Sequence, residues 1–124
     1  MDLYFGSLQR QSGESTLDAL VTFTIPDIGV RFKAPYKAEG TVVDYASLLT
    51  LLEFVDINPQ LFSNRALELY SHNFELIQQI NSCMVDDLQL QPYLQKALEY
   101  RKKLKYSINW ISRPDNPAQK TEFD

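Results

Sequence analysis

Apolar and polar positions alternate through the first forty residues and then change period. Leu3 to Leu8 is a short apolar segment, and QRQSGES after it, with Gly13 as breaker, reads as a turn region. Leu17 to Ile25 is dense in β-branched and aromatic side chains (Val21, Thr22, Phe23, Thr24, Ile25), the composition of a strand. Pro26-Asp27 marks a turn, and Ile28 to Ala34 resumes extended. Three strands on short links predict an antiparallel meander. After Gly40 the period becomes helical: Val42, Tyr45, Leu48, Leu49, Leu52 and Val55 form one broad apolar face. Thr41 with Asp44 three residues on has the spacing of a weak capping box, and Asn58-Pro59 stops the helix. A short strand, Ala66 to Ser71, runs into a helix that Asn73 caps and that turns Phe74, Ile77 and Ile80 inward. Residues 81–87 form a polar link. A third helix is predicted over Leu88 to Leu104, with Pro92 tolerable in its first turn and Leu90, Leu94, Ala97, Leu98 and Leu104 buried. A last strand, Tyr106 to Ser112, precedes a proline-containing tail expected to fray after Asn116.

Composition narrows what such a chain does. With 124 residues, 44% hydrophobic and 23% charged, it has material for one core. No apolar run approaches bilayer length and no leader pattern opens the chain, so the expectation is a cytoplasmic protein with no membrane contact. The single cysteine, Cys83, fits a reducing compartment and has no neighbour that would activate it. A net charge of −4 argues against a general coat for nucleic acid. The one basic cluster, Arg101, Lys102, Lys103 and Lys105 between Tyr100 and Tyr106, has two readings: a patch that grips a nucleic-acid backbone, or cations complementing a helix C-terminus. Phosphate-binding glycine loops, zinc-type cysteine pairs and Ser-His-Asp arrangements are missing from the sequence.

The order of elements (three strands, helix, strand, helix, helix, strand) resembles the ribonuclease H-like fold, and three segments carry the likeness. VVDYASLLTLLEF is similar to that family's first helix, where an acidic residue precedes leucines. LELYSHNFELIQQI is similar to its fourth strand and following helix, and WISRPDN resembles its last strand and the Arg-x-x-Asn turn beyond. The resemblance implies an α+β domain over residues 1–124: a mixed five-stranded sheet covered by helices, with 117–124 as a frayed tail. It also implies a chemistry in which carboxylates hold two divalent cations, Mg2+ or Mn2+, on the scissile phosphate of an RNA–DNA hybrid.

Carried over position by position, the family's acids fall on Gly6, Asp44, His72 and, near the C-terminus, Lys120. One carboxylate beside a histidine and a lysine does not offset two divalent ions, and magnesium disfavours imidazole. The expectation is therefore a pseudoenzyme: a catalytically inactive module with a binding or structural role, whose partner is a protein, a second copy of itself as a homodimer, or nucleic acid. The crevice where the first and fourth strands part, bordered by Gly6, Asp44 and His72, is the place for such a partner. The alternative is a divergent metal-dependent nuclease using Asp44 with Asp2 or Asp115, or a softer metal held by Asp44 and His72. Asp44 as a helix cap and His72 as a strand-to-helix junction residue are the structural readings of the same positions.

Overall fold

In the computed structural model, which describes residues 1–12, 16–63 and 65–120, the predicted meander is three antiparallel strands. These are β1 (Asp2–Ser12), β2 (Thr16–Ile25) and β3 (Val30–Tyr36). A 3-10 turn over Pro26–Ile28 joins β2 to β3, closed by Gly29 at φ 66°, a conformation that favours a residue without Cβ. Helix α1 (Thr41–Ile57) and the single turn α2 (Pro59–Phe62) follow. Next come β4 (Glu68–Ser71), α3 (Phe74–Ser82), α4 (Gln91–Leu104) and β5 (Ser107–Trp110). The sheet order is β3-β2-β1-β4-β5, with β4 parallel to β1 and β5 parallel to β4. Parallel neighbours need crossover connections, and α1 and α3–α4 supply them.

Alternation decides what each strand buries. Leu3 and Phe5 of β1, Phe23 and Ile25 of β2 and Leu69 of β4 point to one face, where they meet Leu48, Leu51 and Leu52 of α1 and Leu76 and Ile80 of α3. Helix α1 is apolar around most of its girth because it lies between the sheet and α4.

Several local expectations give way to tertiary contacts. Gly40 at φ 72°, not Thr41, precedes the first turn of α1, and no side chain caps that helix; Asp44 faces the sheet. Helix α4 begins at Gln91 rather than Leu88, whose side chain is 81% exposed. Phe74 faces solvent, because Leu76, Ile77 and Ile80 define the buried side of α3. Leu98 and Leu104 are only partly buried, packed at the margin of the core. Of the tail expected to fray, Pro117–Lys120 forms a 3-10 turn lying against β1 and β2, held by side-chain hydrogen bonds, and residues 121–124 lie outside the described residues. Among the described residues no helix is long and apolar enough to cross a membrane.

Candidate functional site at the parting of strands one and four

Strand β1 is longer than its parallel neighbour. Pairing with β4 ends at Tyr4–Tyr70, while β1 continues against β2 as far as Ser12–Thr16. Backbone carbonyls beyond the last parallel pair need other donors, and side chains provide them. Asn116 Nδ2 donates to Phe5 O at 3.0 Å and Gln119 Nε2 to Ser7 O at 2.9 Å. Between them, Gly6 O accepts from Ser47 Oγ of α1 at 2.6 Å, with Thr22 Oγ1 of β2 at 2.9 Å. Thr22 Oγ1 also lies 3.0 Å from Ala118 O, so its one proton is shared between the two carbonyls.

Asp44, the one carboxylate carried over from the resemblance, is buried beside β1. Ser7 Oγ donates to its Oδ1 at 2.7 Å and Asn73 Nδ2 to its Oδ2 at 2.8 Å. Asn73 works in both directions, since its Oδ1 caps α3 by accepting from Leu76 N at 3.0 Å. The carboxylate therefore ties α1 to β1 and to the start of α3.

His72 follows β4 and is half-buried. Its Nδ1 lies 3.3 Å from Asn116 Nδ2. The orientation of that amide is fixed independently: Phe5 O needs a donor, and Ala118 N donates to Asn116 Oδ1 at 3.0 Å. His72 Nδ1 must then accept, leaving the ring proton on Nε2. Burial lowers the His72 pKa below the ordinary 6.5; Asp44 pulls it back up and Arg113 adds to the lowering. The ring is neutral at pH 7.

Gly6 completes the group. A Cβ placed on it would stand 2.5 Å from Gln119 Nε2, 3.3 Å from His72 Cε1 and 3.5 Å from Asn116 Nδ2. The volume into which a side chain from the middle of β1 would project is thus filled by the C-terminal turn. Gln119 is held at its other end by Arg113 Nε, which donates to Oε1 at 3.3 Å.

The structure places Gly6, Asp44 and His72 close together and leaves Lys120 outside: its side chain is exposed at the end of the turn, where Asn116 and Gln119 face inward. Gln119 is not among the positions to which the resemblance points. The available signal was Gly6 itself, since a glycine inside a strand marks close approach of another group. Asp2 sits opposite Glu68 at the far end of β1, and Asp115 accepts from Ser112 Oγ at 2.7 Å. Among the described residues no three His, Cys, Asp or Glu side chains converge as a metal cluster. Nor does any buried side-chain nitrogen or oxygen there lack a partner.

The basic cluster lies at the other end of the sheet, where α4 leads into β5. Arg101 donates to Ile80 O (3.4 Å), Asn81 Oδ1 (3.1 Å) and Tyr106 O (3.3 Å), and Lys103 pairs with Asp56 at 2.7 Å. Lys102 and Lys105 are exposed. Cys83 is exposed in the left-handed position that ends α3.

A five-stranded mixed sheet in the order 3-2-1-4-5, helices on its apolar face and polar residues gathered where the central strands part, defines the class of architecture. Solved structures make it specific. Ribonuclease H1 isolated from compost by a metagenomic approach matches with a TM-score of 0.78 at 15% identity, over 96% of this chain and 89% of that one. The same enzyme in complex with an RNA/DNA hybrid matches at 0.74 and 14%, over 94% and 88%. Ribonuclease H1 of the archaeon Halobacterium salinarum matches at 0.72 and 17%, over 94% and 89%. No protein-family model and no curated protein matches the sequence. The fold is the ribonuclease H fold.

Proposed function

We propose that this chain is a non-catalytic ribonuclease H-fold module that works by binding, with a protein as its partner. One observation carries the reading: the crevice residues include one carboxylate, Asp44, and both its oxygens are engaged by Ser7 and Asn73. Two divalent ions on a phosphodiester require several hard oxygen ligands converging from different elements. Here the remaining positions offer amides, a hydroxyl and an imidazole, which do not suit Mg2+ or Mn2+. Asp44 and His72 alone are too few for a softer metal, and the His72 Nδ1 lone pair is directed at Asn116.

The choice of a protein partner rests on charge and exposure. RNA/DNA hybrid is bound by the compost enzyme, but here the net charge is −4 and Arg101 and Lys103 are engaged within the fold. Trp110 (54% exposed) lies beside His72, its indole N–H donating to the His72 carbonyl at 3.3 Å, and Phe74 two residues on is 56% exposed; large exposed apolar side chains of this kind are common at protein interfaces. A second copy of the chain is one such partner, and the lone cysteine supports a reducing, cytoplasmic setting.

The test is incubation of the full chain with a labelled RNA–DNA hybrid in Mg2+ and in Mn2+. No cleavage is expected from the wild type or from Asp44→Asn. Cleavage by the wild type that Asp44→Asn abolishes would overturn the proposal in favour of a divergent metal-dependent nuclease.

A further inference from the structure

We infer that the C-terminal turn, Asn116 to Lys120, is a resident plug of the crevice that keeps the space beside Gly6 closed to cations. The inference deepens the non-catalytic reading of the same crevice and rests on it. Three observations converge. The amides of Asn116 and Gln119 reach alternate carbonyls of β1, Phe5 and Ser7, and so take the place of a longer β4. Ala118 between them is fully buried, with its carbonyl beside Thr22 Oγ1, which fixes the turn at a third point. Gly6 and Gln119 are matched in shape, because any Cβ at position 6 would collide with the Gln119 amide, which is itself anchored by Ser7 O and Arg113. A cation in this space would meet amide N–H donors, the wrong polarity for a metal ligand.

If the plug closes the crevice, an acid added at position 6 serves as a ligand only once Gln119 is removed. The probe is Mn2+ alone, titrated calorimetrically into the full chain carrying Gly6→Asp, with and without Gln119→Ala. Gly6→Asp/Gln119→Ala is expected to bind Mn2+ at least about tenfold more tightly than Gly6→Asp, because the new carboxylate then stands beside His72 without an intervening amide. Equal affinities, or no binding by either folded variant, would overturn the inference.

Should the acidic variants not fold, a stability cycle reads the same contact. Gly6→Ala is expected to lower the melting temperature by about 5 °C, and by less than half as much in the presence of Gln119→Ala. Additive effects would sink the inference. Failure of the non-catalytic reading is seen separately, as hybrid cleavage by the wild type, whereas Mn2+ binding in the crevice of the wild type would overturn the plug as well.

Discussion

Asn116 shows how much one side chain contributes to this fold. It is fully buried and uses both amide hydrogens and its oxygen, on Phe5 O, His72 Nδ1 and Ala118 N. Replacing it by alanine strands a strand carbonyl and a turn N–H away from water, so Asn116→Ala is expected to lower the unfolding free energy by about 2–4 kcal/mol, measured by urea titration. His72 makes stability depend on pH. Its pKa is lowered in the folded chain, chiefly by burial, so the unfolded chain takes up the proton first as pH falls. Stability from this group is complete above 6.5 and is lost as pH drops through that value towards the lower folded pKa. Because the chain has one histidine, His72→Gln is expected to flatten the melting-temperature profile between about pH 6.5 and the carboxylate range. An unchanged slope would mean that other groups cause it.

At the scale of elements, helix ends are where local sequence is least reliable. Lys105 ends α4 at φ 54° and Cys83 ends α3 at φ 59°, both in the left-handed region that glycine occupies without strain. Lys105→Gly is expected to stabilise the chain by about 1 kcal/mol, visible as a raised urea midpoint with unchanged slope. Arg101→Ala is expected to destabilise it, since the guanidinium links the end of α3 to the residue preceding β5. The number, type and order of the main elements were legible, because burial against one sheet face imposes periods of 2 and 3.6 on the sequence. Their ends were not. The Thr41–Asp44 spacing has the form of a local cap, yet Asp44 is engaged by Ser7, 37 residues away, and no neighbouring residue reveals that. Phe74 reads as core by periodicity and is exposed because Leu76, Ile77 and Ile80 set the buried side of α3 and Phe74 falls off it.

For the molecule as a whole, the parting of β1 and β4 organises everything around it. Gly6, Asp44 and His72 lie close together where the strands part, since strand and helix patterns fix their register. Gln119 is not legible in the sequence, because its contact with β1 spans more than a hundred residues and leaves no local periodicity. Because the crevice is closed by protein groups, its stability should not depend on metal. Dialysis against EDTA, or addition of Mn2+, is expected to leave the wild-type melting temperature within about 1 °C; a concentration-dependent rise would reveal a bound ion.

The contact between Asn116 and Phe5 spans 111 residues. Loops of that length close late, after the local meander and helices have formed, so the turn belongs to the downhill side of the folding barrier. Weakening it should then leave the refolding rate nearly untouched and accelerate unfolding, so that a rate-versus-urea plot shifts only in its denaturing limb. The same contact thus governs how long the folded molecule lasts, rather than how quickly it is made.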